Sequence, residues 1–229
     1  MSAVFVKRVA QIALCLAAGS AMAASLADLS NVDANSGLKA ALEKGAVSAV
    51  GKLGVDNGFL NNDKVKIGLP KVLEQARPLL KMAGQGDRLD QLVIDMNHAA
   101  EQAVPMAKPL LLNAVKSLTV TDAKNILAGG ETSVTDFFRE KTGAALGLKF
   151  LPIVKKITDR SDLSAKYNSA MSHVGKFGKG QQAATVEDYV SQRAVDGLFT
   201  MIAEEEREIR RDPIATGSKI LSKVFGSMR

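Results

Sequence analysis

The sequence predicts an all-α fold: a single bundle of about six to eight helices around a long central helix, with at most one short strand. Of the 229 residues, 46% are hydrophobic, but only 4% are aromatic and none is Trp. This composition favours helices over a β-sandwich, which would need more aromatic and β-branched residues. A chain of this length can bury a full core within one domain. The longest uninterrupted helical pattern, Thr185 to Asp212, identifies the central helix.

The N-terminus has the pattern of a secretory signal peptide. Lys7 and Arg8 precede an apolar run that ends in the small-x-small sequence Ala21-Met22-Ala23. We therefore expect export to the periplasm, with cleavage directly after Ala23.

Removal of this signal, residues 1–23, would leave one all-helical domain over residues 24–229. The only cysteine, Cys15, lies inside the signal, and the bulky Leu14 before it does not fit a lipid-attachment motif. The mature protein is therefore expected to have no disulfide, no cysteine metal site and no lipid anchor.

Prolines and turn residues divide the first half of the mature chain. Ser36 is expected to cap the first helix, and residues 55–70 to form a loop with at most one short strand. Pro70 then opens a helix that Pro78 should kink or split. Asp87 is expected to cap the next helix.

The second half begins where Pro105 interrupts that helix. Thr121 is expected to cap a short helix, and Ser133 to begin a long one that is bent or broken near Gly147 and Pro152.

A further helix starts at Ser161, and residues 175–184 have the composition of a linker. The central helix follows and ends at Pro213. Residues 214–229 are expected to form a short amphipathic C-terminal helix.

The central helix is apolar over more than half of its circumference when its residues are placed at about 100° per position. Glu205 and Glu206 nevertheless fall on the apolar side, while Gln192, Arg193 and Asp196 share the narrow polar side. A helix this apolar is mostly enclosed by its neighbours. The residues expected in the core are Val190, Ala194, Val195, Leu198, Phe199, Met201, Ile202 and Ile209.

The carboxylates from Glu204 to Glu208 are the first candidates for chemistry. In one interpretation they form a charged helix end laced by exposed ion pairs, such as the pair of Glu206 with Arg210. In the other, Glu205 is partly desolvated and either meets a buried basic side chain or faces a pocket.

The polar side of the same helix supplies the other candidates. Gln192, Asp196 and Thr200 lie one turn apart, with Arg193 beside them. A solvated stripe or a ladder of hydrogen bonds explains this spacing better than a ligand site does. Together with Glu205, the residues Gln192, Arg193 and Asp196 are the candidates for contact with a ligand or partner.

No metal, cofactor or catalytic motif is evident in the sequence. Asp95, His98 and Glu101 could share one helix face, but a diiron bundle needs two such Glu-x-x-His motifs and further glutamates. Polar residues at a helix interface are the preferred interpretation. The motifs of serine hydrolases, nucleotide-binding loops and dinucleotide-binding folds are missing.

The C-terminal helix carries a local excess of positive charge. Lys219, Lys223 and Arg229 accompany an apolar side that includes Phe225, with no acidic residue among them. This helix either closes the bundle or forms an arm that lies on an anionic membrane. A nucleic-acid interface is not expected, because the rest of the mature chain is nearly neutral.

Three strings of the sequence stand out: MNHAAEQAVPMAKPLL (residues 96–111), FLPIVKKITD (150–159) and DYVSQRAVDGLFTMIAEEEREIRRDP (188–213). They resemble a bacterial exported family, domain of unknown function 4197. The resemblance implies an exported, all-helical protein, in some relatives lipid-anchored, with no assigned activity, cofactor or catalytic residue. Since the lipid-attachment pattern is missing, this chain is expected to lack the anchor.

These observations favour a binding or interaction protein of the cell envelope. The expected partner is an apolar small molecule, an anionic membrane surface or an envelope protein. The alternative is a hydrolase that uses the Glu204 to Glu208 carboxylates. An apolar groove with few polar groups would favour binding, whereas a closed cleft joining Glu205 or Asp196 to other ionisable groups would favour the enzyme.

Overall fold

A computed structural model describes residues 31–175 and 185–212, which form eight α-helices, one 3₁₀ turn and no strand. The all-α prediction is confirmed. The predicted signal peptide, most of the linker and the C-terminal helix lie outside the described residues. The elements are α1 (Asn31–Leu53), α2 (Lys71–Met82), α3 (Gly86–Ala103), the 3₁₀ turn (Val104–Met106), α4 (Ala107–Lys116), α5 (Val120–Ala128), α6 (Ser133–Thr158), α7 (Leu163–Gly175) and α8 (Val186–Arg211).

Helix α8 is the centre of the bundle and packs against α1, α3, α6 and α7. All eight residues that the helical pattern assigned to the core are buried, so that prediction is confirmed. The side chain of Thr185 caps the helix by accepting a hydrogen bond from the backbone N–H of Asp188.

Residues 54–70 connect α1 to α2 and pack between α3 and α8. The predicted loop is confirmed, and it contains turns rather than a short strand. The ring of Phe59 is fully buried beside Gly197 of α8, where a Cβ atom would approach it to 2.6 Å. From α3, the buried Asn97 side chain accepts from the N–H of Ile67 and donates to its carbonyl. The loop is therefore packed as part of the core.

The local signals of the sequence were less accurate than the helical pattern. The cap of α5 is Thr119, since its hydroxyl accepts from the N–H of Asp122 while that carboxylate accepts from the N–H of Thr119. Of the two outcomes predicted at Pro78 and Pro152, a kink or a break, the break is wrong, because α2 and α6 continue through their prolines. The loss of one hydrogen bond is tolerated where packing holds the flanking turns.

Candidate ligand-binding groove

A groove of about 550 Å³ lies between α2, α3 and α7. Its walls are mostly apolar and include Leu80 from α2, Leu89 from α3, and Ala165 and Ala170 from α7. Pockets for small molecules usually have volumes of about 300 to 1,000 Å³ and a predominantly apolar lining. The groove therefore has the size and surface of a ligand-binding site.

Most of the exposed surface in the groove is apolar, but six of its ten lining residues are polar or charged, and several of these hold its walls together. Lys166 of α7 forms an ion pair with Asp95 of α3, with 2.6 Å between Nζ and Oδ2. The same carboxylate accepts a hydrogen bond of 2.8 Å from Gln91. Arg88 donates to the neutral side chain of Gln85, and the carboxylate of Asp87 lines the same groove.

The position of α7 depends on Glu187 in the first turn of α8. Its carboxylate accepts hydrogen bonds from Thr158, the last residue of α6, and from Ser164 at the start of α7. Burial of the carboxyl opposes its ionisation, but the hydrogen bonds from Ser164 and Thr158 outweigh burial, so the pKa of Glu187 lies below its ordinary value of 4.5. Glu187 thus connects the end of α6 and the start of α7 to the first turn of α8.

Replacement of Glu187 by Gln should lower stability at neutral pH by about 1 kcal/mol and make stability less sensitive to acid. Because the folded pKa is depressed, the carboxylate stabilises the protein above pH 4.5, and this contribution is lost as the pH falls through the lower folded value. Urea unfolding at neutral pH and below pH 4.5 tests this. The exposed Glu140→Gln variant is the control, and an equal acid response of wild type and Glu187→Gln would contradict it.

The structure separates the glutamates of residues 204–208 into different environments. Glu205 pairs with Lys52 of α1 at 2.5 Å, but the lysine side chain is 58% exposed. Glu204 pairs with Lys64 and Arg207, and the hydrogen bond from Lys64 is the main cause that lowers its pKa. The Glu205 side chain is 14% exposed, so it is partly desolvated as one hypothesis held, but its basic partner Lys52 is not buried.

Glu206 is the buried member of this cluster, with a side chain that is 2% exposed. It accepts hydrogen bonds from the N–H groups of Val134 and Thr135 and from the Thr135 hydroxyl. Arg210 pairs with it, as the spacing predicted, and also donates to Ser133. The expected exposure of this pair was wrong, because Glu206 caps the start of α6 inside the bundle.

Gln192, Arg193 and Asp196 lie together on the outer side of α8. Gln192 donates to Asp196, and Arg193 lies 3.7 Å from the same carboxylate. Arg139 of α6, which sequence reasoning missed, lies 3.6 Å from Asp196 with its guanidinium over the ring of Phe199. Since both arginine side chains are about half exposed, this is the solvated ladder rather than a closed cleft.

The residues of the possible metal face serve other contacts. Asp95 forms an ion pair with Lys166. Glu101 accepts hydrogen bonds from the N–H groups of three loop residues, Asn57, Phe59 and Leu60. The Nδ1 atom of His98 lies 2.7 Å from Glu101. Within residues 31–175 and 185–212, no group of three or more potential ligand residues is placed to hold a metal ion.

Sequence reasoning nominated none of the groove residues. The available signal was the set of small side chains on one side of α7, namely Ala165, Ser169 and Ala170, which leave room beside the helix. This signal is weak, because small residues equally often mark close helix packing.

None of the described helices is long and apolar enough to cross a membrane. No curated protein and no solved structure gives a match to the chain. The family model described as protein of unknown function DUF4197 matches residues 28–226, which is most of the sequence. The chain therefore belongs to the DUF4197 family.

Proposed function

We propose that this protein is an exported binding protein of the cell envelope, which takes up a small, largely apolar molecule in the groove between α2, α3 and α7. The observation that carries the proposal is the groove itself, with about 550 Å³ of space and a mostly apolar wall. Export is supported by the predicted signal peptide over residues 1–23.

The lining of the groove favours a ligand with an apolar part and a polar end. Ala165 and Ala170, with the small exposed parts of Leu80 and Leu89, offer contact to an apolar group. Arg88, Gln85 and Asp87 offer polar contacts to a head group. Burial of apolar surface would supply most of the affinity, and the polar groups would set orientation.

The carboxylates of α8 give the hydrolase hypothesis no comparable support. A general acid or base needs a carboxyl group that is free to exchange a proton with a substrate. Each glutamate of the cluster is instead held by basic side chains: Glu204 by Lys64 and Arg207, Glu205 by Lys52, Glu206 by Arg210, and Glu208 by Arg211.

Native mass spectrometry of the protein purified from its own envelope fraction tests the proposal. The expected result is a species heavier than the chain alone, whose added mass is removed by organic extraction and identified separately. If the extracted protein also fails to take up a fluorescent apolar probe such as Nile red, the groove is not a binding site.

Ala165→Phe should abolish uptake of the ligand, because a phenyl ring from this exposed wall position would occupy the groove. Stability should change by less than about 0.5 kcal/mol, as is usual for exposed positions. Ala128→Phe makes the same exchange at an exposed position of α5 and should bind normally. Equal Nile red binding by the two variants would contradict the assignment of the groove.

A further inference from the structure

Positive charge is concentrated on the outer face of α6. The described residues contain 23 basic and 23 acidic side chains, so this part of the protein is neutral. The segment from Lys141 to Arg160 contains five basic residues and one acidic residue, Asp159, a net charge of +4. The rest of the described chain must therefore be net negative.

An exposed apolar side chain lies in the middle of these charges. Leu148 is 76% exposed, and Pro152, one turn later, is exposed on the same side. We call the exposed positions along this side the α6 basic face. Its basic and apolar members are Lys141, Leu148, Lys149, Pro152, Lys155 and Lys156 of α6, followed by Arg160 just beyond the helix end, with the exposed Asp159 beside them.

Among the described residues, the charges of the α6 basic face are only weakly neutralised. Lys141 lies 3.3 Å from Glu140, and Lys155 lies 3.4 Å from Asp159, but the four side chains are 43% to 75% exposed. Ion pairs exposed to this degree contribute little and exchange readily for other partners. The lysines therefore remain available to an external anion.

We propose that the α6 basic face docks on the anionic surface of a lipid bilayer, with Leu148 inserted between head groups. An apolar side chain surrounded by lysines on one side of a helix matches the layered chemistry of that surface, where anionic head groups lie above an acyl interior. The face runs along one continuous helix, and such an elongated surface suits a plane better than a small ligand. This surface is separate from the groove and does not depend on it.

Vesicle co-sedimentation of the mature chain, residues 24–229, tests the proposal. Vesicles of phosphatidylcholine alone are compared with vesicles that also contain phosphatidylglycerol, at low and at high salt. The wild type should bind only the anionic vesicles, and salt should weaken the binding. If the wild type does not bind anionic vesicles even at low salt, the proposal is wrong.

Two variants and two matched controls locate the surface. The triple exchange of Lys149, Lys155 and Lys156 to Gln should weaken binding by about tenfold or more, and Leu148→Ser should weaken it by about tenfold. The charge control changes Lys71, Lys108 and Lys124 to Gln, and the apolar control is Leu79→Ser on α2, where Leu79 is 62% exposed. Both controls should bind as the wild type does.

Circular dichroism would confirm that every variant remains helical, which is expected for exposed positions. Unchanged binding of the triple variant would overturn the proposal, since another surface, such as the basic residues beyond Pro213, would then hold the vesicles. Equal losses in the triple variant and its charge-matched control would also overturn it, because the effect would then follow net charge alone.

Discussion

Replacement of Glu206 by Ala should lower the free energy of unfolding by about 3 to 5 kcal/mol. The variant would leave the N–H groups of Val134 and Thr135 without their acceptor at the start of α6. It would also leave Arg210, whose side chain is only 16% exposed, without its carboxylate. Removal of one member of a mostly buried ion pair is among the most destabilising single exchanges. Urea unfolding followed by circular dichroism gives the value.

Glu208→Ala is the matched control for this prediction, since it removes a glutamate two residues away that is 60% exposed and paired with Arg211. It should change stability by less than about 0.5 kcal/mol. A double-mutant cycle between Glu206 and Arg210 should show a coupling of about 1 kcal/mol or more. Similar small effects of Glu206→Ala and Glu208→Ala would show that α6 does not need this cap.

Glu101→Ala should be the next most damaging change, with a loss of about 2 to 4 kcal/mol. Glu101 is 4% exposed and accepts from the N–H groups of Asn57, Phe59 and Leu60. Without it, the loop would lose three backbone acceptors beside the buried ring of Phe59. The same urea titration measures the loss, and hydrogen exchange of the three amides should accelerate with it.

Substitutions at two neighbours of Glu101 serve as controls for the effect of its carboxylate on stability. Gln102→Ala changes the next, exposed residue and should have little effect on stability. His98→Ala should cost less than Glu101→Ala, because the carboxylate keeps its three backbone donors. If His98→Ala costs as much as Glu101→Ala, the imidazole rather than the backbone contacts holds the loop.

Most of the correct predictions about the fold came from the helical periodicity of apolar residues. In α8, the apolar positions were assigned correctly because burial of one broad side repeats every 3.6 residues and is therefore visible along the chain. The loop of residues 54–70 was identified by its turn residues, but its burial was not foreseen. Its partners, Asn97 and Glu101, are polar residues of α3 that lie about 30 to 40 positions away in the sequence.

The glutamate cluster shows the limit of the same reasoning. Projection placed both Glu205 and Glu206 on the apolar side of α8, and it could not show which of them would be satisfied inside the bundle. The choice depends on the start of α6, whose first N–H groups come to lie beside Glu206 rather than Glu205. Contacts between residues about 70 positions apart leave no periodic trace in the sequence.

The sequence by itself determined the all-α class, the central helix, its buried side and the family to which the chain belongs. All of these rest on local spacing or on strings of consecutive residues. Only the tertiary structure decided where the candidate groove lies, because its walls come from three helices and its space is what their packing leaves between Leu80, Leu89 and Ala165. Period and composition record which residues avoid water, whereas a cavity depends on how whole helices are placed against one another.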